Sequence, residues 1–456
     1  MLTRGLCRGR VSRAFSVLGV SIAALTSFGV SRSAIAADQV VFSFATLGDS
    51  RQDPASPDPT TLLAVNPATG QGGPSLTGTL LPQDAIWLQN TKAFSRIIRT
   101  IQTEKPNLLF FNGDMIYGYG RPAVPSAWAT TPPSTVAAVI GSDLVFEYTQ
   151  YAFWRGIVAP LFETGTYVIP VPGNHESQCN SKDTTNTGAS GCASGKHAYV
   201  ENENAFRANM GDLVSDLVTN VRFQTVTGVV ASSVNGLTAA SAPTATANNG
   251  PITGTQQELS YSFDIQTGPG LLHFVVINTD PSGADATAPA DWLSADLGNA
   301  KTRGAIKYFV FGHKPAFTYN YNLVSGTGGG VVAAGGLDAN TLALRNAFWS
   351  VITQYGATYF SGHEHIVNIS QNADPTGTYA GTPYQVIVGS GGSPFDETLV
   401  GTCPTCSEPV LTNPWDRYYA WALVQIHQSG AVTLTANGFN DAFGPTQLLY
   451  SIPNLQ

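Results

Sequence analysis

The stretch Asn107-Leu108-Leu109-Phe110-Phe111-Asn112-Gly113-Asp114-Met115-Ile116-Tyr117 reads as a strand that ends in a tight turn. Leu108 to Phe111 are apolar on both faces, as in a strand covered on both sides. Gly113 then lets the chain turn sharply and present Asp114 just beyond the strand end. The same design recurs along the chain. Val40 to Leu47, Tyr167 to Val171, His273 to Asn278, Ile306 to Phe311, Ala357 to Phe360 and Tyr384 to Val388 are short runs rich in Val, Ile, Phe and Tyr, and read as strands.

Between them the apolar period changes to that of a helix. Phe94, Ile97, Ile98 and Ile101 form one stripe, and Leu344, Ala347, Phe348, Val351 and Tyr355 form another. With β-hairpins expected near Tyr261 to Asp264 and Trp421 to Asn437, this alternation predicts an α/β fold, a layered α/β sandwich with mixed sheets. Gly120 to Ser142, Thr225 to Thr255 and Ser325 to Gly336 are rich in Ser, Thr, Ala, Gly or Pro and read as surface insertions, because motifs on either side of them must meet in one site.

The 456 residues, 43% of them hydrophobic, are enough for one large domain or two ordinary ones. Residues 1–36 read as a signal peptide. Arg4, Arg8, Arg10 and Arg13 precede an apolar run from Phe15 to Val30, and Ala34-Ile35-Ala36 supplies the small residues of a cleavage site. The run is short for a membrane span and is interrupted by Ser16, Ser21, Thr26 and Ser27. Ser12-Arg13-Ala14-Phe15 has only one arginine of a twin-arginine signal, so the export route stays open. The expectation is a secreted or periplasmic protein whose mature chain starts near Ala37 and has no membrane partner.

Removing the signal takes away five arginines and no acids, and moves the formal net charge from −8 to −13. That argues against a nucleic-acid or anionic-membrane partner on electrostatic grounds. It leaves Cys179, Cys192, Cys403 and Cys406, an even count that in an exported chain predicts two local disulfides, Cys179 with Cys192 and Cys403 with Cys406. Four cysteines permit three connectivities; a zinc site is disfavoured because only one CxxC is present.

Five motifs each follow an expected strand: Gly48-Asp49-Ser50-Arg51, Gly113-Asp114-Met115-Ile116-Tyr117, Gly173-Asn174-His175-Glu176, Gly312-His313-Lys314-Pro315 and Gly362-His363-Glu364-His365. The carboxyl ends of neighbouring strands in an α/β sheet open onto a shared crevice. Alone, each motif is a common turn, and a lone histidine such as His273 or His427 is usually structural. Together they take four of the seven histidines in the chain, which chance placement does not explain. Their carboxylate, phenol, amide and imidazole donors suit Fe, Mn or Zn better than Ca or an iron–sulfur cluster.

In these motifs the sequence resembles the calcineurin-like metallophosphoesterases, whose pattern runs D-x-H, G-D, G-N-H-E, H and G-H-x-H. The first motif departs from it, since Arg51 stands where the histidine would be. Tyr117, three residues after Asp114, resembles the G-D-x-x-Y motif of the purple acid phosphatase branch. That resemblance implies two metal ions, Fe(III) with Fe, Zn or Mn. Asp49, Tyr117 and His365 would hold the first, Asn174, His313 and His363 the second, and Asp114 would bridge. It implies hydrolysis of phosphomonoesters by metal-bound hydroxide within one domain, 37–456, with His175 binding phosphate and protonating the leaving oxygen, and Glu176 orienting a neighbouring imidazole.

Arg51 either neutralises substrate phosphate or pairs with an acid such as Asp53, and both readings stand. The last motif continues Ile366-Val367-Asn368 rather than with the family's usual Tyr-Glu, which bears on the pocket walls. The alternatives are a phosphodiesterase of the same fold and a secreted binding protein that keeps the fold without turnover. Oligomeric state is not legible.

Overall fold

The computed structural model describes residues 38–51, 82–118, 143–180, 196–237, 256–318, 321–323, 331–333, 336–337, 342–393, 418–440 and 442–456. Within Asp38–Gln456, which clusters as one compact unit, the chain runs β1 (Val40–Leu47), α1 (Pro82–Glu104), β2 (Leu108–Asn112), α2 (Asp143–Glu163), β3 (Tyr167–Val171), α3 (Asn174–Ser177), β4 (Gln178–Asn180), β5 (Lys196–Ala198), α4 (Val200–Thr219), α5 (Val221–Thr227), β6 (Ala231–Leu237), β7 (Gln256–Gln266) and β8 (Leu271–Val276). It continues through α6 (Ala290–Thr302), β9 (Ala305–Phe311), β10 (Tyr321–Leu323), β11 (Val331–Ala333), α7 (Leu342–Tyr355), β12 (Thr358–Ser361), β13 (Val367–Gln371), β14 (Tyr384–Val388), β15 (Tyr418–His427), β16 (Val432–Asn440) and β17 (Gln447–Ile452). The signal-peptide reading of residues 1–36 lies outside the described residues. So do both disulfide pairings, since Cys192, Cys403, Cys406 and the side chain of Cys179 are not among them.

Two mixed sheets form the centre. One has the order β17-β16-β15-β1-β2-β3, the other β13-β14-β12-β9-β8-β7-β6. In the first, β1, β2 and β3 are parallel, with Thr46 beside Phe110 and Phe110 beside Ile169. In the second, β8, β9, β12 and β14 are parallel. Antiparallel strands extend both sheets.

Adjacent phenylalanines in β2 show why the strand is apolar on both faces. Phe110 stacks on Phe311 of the other sheet with ring centroids 3.6 Å apart, whereas Phe111 points the other way, 5.6 Å from Phe94 of α1 and 5.0 Å from Trp154 of α2. Between the sheets, Phe44 meets Phe110, Phe274, Phe309, Phe311 and Phe360 edge-on at 5.1–5.8 Å. Edge-on contact sets positive ring rims against negative faces and adds to the area buried. On the far side of the second sheet, Val275, Val310 and Tyr359 pack with Trp292 and Leu297 of α6 and Phe348 and Trp349 of α7. The result is the expected layered sandwich, helix, sheet, sheet, helix.

Two details differ from the sequence reading. The 225–255 segment is not wholly an insertion: residues 225–227 finish α5, and β6 is an edge strand paired with β7. Ala231-Ser232-Ser233-Val234-Asn235-Gly236-Leu237 hides this because only its two ends are buried. On α7 the buried stripe runs through Phe348, Trp349 and Ile352, one position along from the expected one, and Ala347 is exposed. Among the described residues no helix is long and apolar enough to cross a membrane.

His273 is structural. Its Nδ1 lies 2.7 Å from Asp264 Oδ1 and its Nε2 2.9 Å from Asp296 Oδ2, tying β7, β8 and α6 together, and Arg303 Nε donates to Asp264 Oδ2 at 2.7 Å. Burial disfavours the imidazolium, but the two carboxylate hydrogen bonds outweigh it and raise the His273 pKa from 6.5. A raised imidazole pKa stabilises fully below pH 6.5 and loses that contribution as pH rises through the folded value. His273→Ala leaves buried Asp296 without the imidazole that pairs with it, while Asp264 keeps Arg303, so we expect a loss of about 3–5 kcal/mol in urea denaturation. The gap from wild type should be widest near pH 6 and narrow at alkaline pH.

Candidate metal centre

All five motifs leave the carboxyl ends of parallel strands, three from β1, β2 and β3 and two from β9 and β12 of the facing sheet. The turns are tight. Asp49, Asp114 and His363 have φ of 62°, 55° and 71°, in the left-handed region, at a cost of order 1–3 kcal/mol each. Gly113 is obligatory, since its φ is 81° and a Cβ there would lie 2.6 Å from His313 Nδ1 and 2.7 Å from Gly173 Cα.

The donors converge. His313 Nδ1 lies 2.7 Å from the Asn112 carbonyl oxygen, which only accepts, so Nδ1 carries a proton and Nε2 turns inward. There Nε2 is 2.8 Å from Asn174 Oδ1, 3.1 Å from Asp114 Oδ1 and 3.2 Å from His363 Nδ1, and the last lies 2.9 Å from Asn174 Oδ1. One imidazole proton could serve one or two of these contacts; a cation serves all four atoms. Asp49, Asp114 and His313 form a buried group whose ligand atoms lie within 4.8 Å of one another.

Charge balance agrees with that reading. Burial pushes the Asp49 carboxyl well up, with Asp114 adding to it. Burial also opposes the charge on Asp114, yet His175, His313 and Arg51 hold it well below the usual carboxylate range. His313 is driven to about 9: burial works against its charged form, and the two aspartates overcome that. Asp49 Oδ1 is buried without a hydrogen-bond partner, with His365 Nε2 3.6 Å away. A cluster that raises an imidazole this far and leaves a carboxylate oxygen unmatched is short of positive charge, and its oxygen and nitrogen donors fit a borderline metal ion.

Arg51 is buried in the same cluster. Its Nε donates to Asp114 Oδ2 at 3.1 Å, and its Nη2 lies 3.2 Å from His365 Nε2. Of its two expected partners, Asp53 is outside the described residues.

Glu176 holds main chain rather than an imidazole. Oε2 accepts from Gly173 N at 2.8 Å and Asp114 N at 2.9 Å, and Oε1 accepts from Met115 N at 2.8 Å and Ile116 N at 3.1 Å. His175 donates through its main-chain N to Asp114 Oδ1 at 3.1 Å, and its Nδ1 bonds the Tyr117 carbonyl oxygen. Tyr117 is buried in the same loop, its ring centroid 5.8 Å from that of His175.

Sequence reading missed the loop after β14. Gly391 N donates to Gly48 O at 2.9 Å and Ser393 N to Asp49 O at 2.8 Å, so this loop braces the first motif. The signal was present: Gly389-Ser390-Gly391-Gly392-Ser393 directly follows a strand. It also missed Asp280, buried and bonded to Lys314 Nζ at 2.6 Å beside the fourth motif.

No family model matches the chain, and no curated protein matches it. Solved structures do. A purple acid phosphatase from yellow lupin (Lupinus luteus) seeds is similar over 91% of this chain and 54% of its own, at 11% identity and a TM-score of 0.46, so this chain spans about half of that enzyme's length. PhoD is similar over 92% of this chain and 73% of its own, at 13% identity and a TM-score of 0.44. A dimetal phosphatase from Danio rerio is similar over 90% of this chain and 99% of its own, at 10% identity and a TM-score of 0.40.

Proposed function

We propose that the chain is a metal-dependent phosphate ester hydrolase acting on phosphomonoesters, exported as its N-terminal sequence implies. The observation that carries this is the convergence of Asp114 Oδ1, Asn174 Oδ1, His313 Nε2 and His363 Nδ1, all within hydrogen-bonding distance of a neighbour in the set, at the joint carboxyl ends of two sheets. These four would hold one ion, and Asp49 and His365 flank it; the resemblance of the motifs implies a second ion on their side, with Tyr117. A metal bound there supplies Lewis-acid charge to a phosphoryl oxygen and acidifies water.

The chain's own residues supply the rest. Because a carbonyl oxygen only accepts, the bond to Tyr117 O puts a proton on His175 Nδ1. That leaves Nε2, 3.7 Å from Asp114 Oδ2, as the atom that takes or gives a proton. We assign it to the leaving oxygen. Glu176 keeps the Asp114 turn fixed, which holds the donors at constant spacing while charge develops.

Purified protein loaded with Zn, Mn or Fe should hydrolyse p-nitrophenyl phosphate faster than bis(p-nitrophenyl) phosphate, and a chelator should abolish both. A reversed preference would make it a diesterase, and inertness toward both after verified loading would sink the hydrolase reading.

Asp114→Asn should lower metal affinity by more than about 100-fold and abolish turnover with it. His175→Ala should retain the metal and lose about 10²–10⁴ in rate. Metal analysis beside steady-state kinetics separates the two, and a His175 variant that lost metal in step with rate would overturn its assignment.

A further inference from the structure

We infer that the Arg51 guanidinium is a built-in cation of the centre, standing on the Asp49 and His365 side, so that the chain holds one metal ion tightly and takes a second only by displacing the arginine. This rests on the metal-dependent hydrolase reading and refines how that site loads.

The Asp114 carboxylate divides its two oxygens. Oδ1 faces His313 Nε2 at 3.1 Å and accepts from His175 N at 3.1 Å, whereas Oδ2 accepts from Arg51 Nε at 3.1 Å. A carboxylate that would bridge two cations therefore has one cation of the chain's own on its second oxygen. The guanidinium has donors and no acceptor, so in the 3.2 Å contact of Arg51 Nη2 with His365 Nε2 the imidazole must accept. Its Nε2 lone pair, the one that a metal on this side would need, is engaged by the arginine.

Arg51 is not a surface side chain that happens to fold inward. It is 9% exposed, its main-chain N donates to Asp114 O at 3.0 Å, and its carbonyl accepts from Ser393 Oγ at 3.3 Å. Both the side chain and its backbone are thus anchored to the residue that they neutralise. Unlike a histidine, arginine stays protonated at any accessible pH. It cannot change from cation to ligand when a metal arrives, and it repels one. Asp114, buried and with one oxygen on the guanidinium, supplies the negative charge that makes a fixed cation worth keeping.

The test is metal stoichiometry. Metal-free full-length protein, wild type and the variants Arg51→His and Arg51→Ala, would be titrated with Zn(II) by calorimetry, and the metal retained after gel filtration measured by elemental analysis. We expect one tight equivalent in wild type and two in Arg51→His, with second-site affinity at least about tenfold higher than in wild type. Arg51→Ala should also gain over wild type, by less, since it removes the cation without adding a ligand.

Two equivalents of matched affinity in wild type would overturn the inference and leave the hydrolase reading standing. So would a visible absorption band in oxidised, iron-loaded wild type that Tyr117→Phe removes, because it would put Fe(III) on the side that Arg51 fills. No metal uptake by any of the three proteins would overturn both. Wild-type stoichiometry decides the matter even if a variant fails to fold.

Discussion

The Glu176 carboxylate, buried between the loops that follow β2 and β3, accepts hydrogen bonds from the main-chain N–H groups of Gly173, Asp114, Met115 and Ile116. Those N–H groups belong to turns that leave the sheet and cannot pair within it, and buried unpaired donors cost about 1–3 kcal/mol each. One side chain satisfies all four. In doing so it fixes the left-handed backbone at Asp114, with φ of 55°, and with it the direction of the carboxylate that faces His313, His175 and Arg51. The rest of the centre is arranged around that direction.

Such strain persists only where the surroundings over-determine it. The phenylalanine layer provides the rigid base. Phe44, Phe110 and Phe311 bring the two sheets into contact close to the ends of β1, β2 and β9, the strands that carry the first, second and fourth motifs. Close-packed rings transmit displacement rather than absorb it. Shortening Phe44 would therefore alter the spacing of Asp49 and His313 as well as stability, because the two stand on opposite sheets.

Much of this was legible because it is local. A strand that is apolar on both faces announces two covering layers, and Leu108 to Phe111 have them. The motifs were legible because each sits within two to five residues of a strand end. What stayed hidden depends on partners distant in sequence. Glu176 reads as a companion of its neighbouring histidine, and only the fold reveals that its partners include main chain some 60 residues away. Arg51 was ambiguous for the same reason: its contacts lie 63 and 314 residues along the chain. The strand β6 was hidden because a solvent-facing edge strand carries little apolar pattern, and the α7 stripe was misplaced because Trp349 and Ile352 extend the apolar surface beyond one clean period.

Two buried histidines, His273 and His313, differ in whether the charges around them close among themselves. His273 and His313 both sit on or just after central strands, fully covered, and both have pKa values raised by carboxylates against the opposing effect of burial. At His273 both ring nitrogens end on carboxylate oxygens, and Arg303 completes the neutralisation of Asp264. The charges close among themselves, so the cluster needs nothing from outside and serves to lock α6 to the sheet. At His313 one nitrogen is fixed by a carbonyl, while the other faces an amide oxygen, a carboxylate and a second imidazole. Protonating His313 would satisfy part of this and leave Asp49 Oδ1 unmatched. A raised pKa is common to both sites; the surplus of acceptors, which calls for a cation from solution, belongs to the second alone.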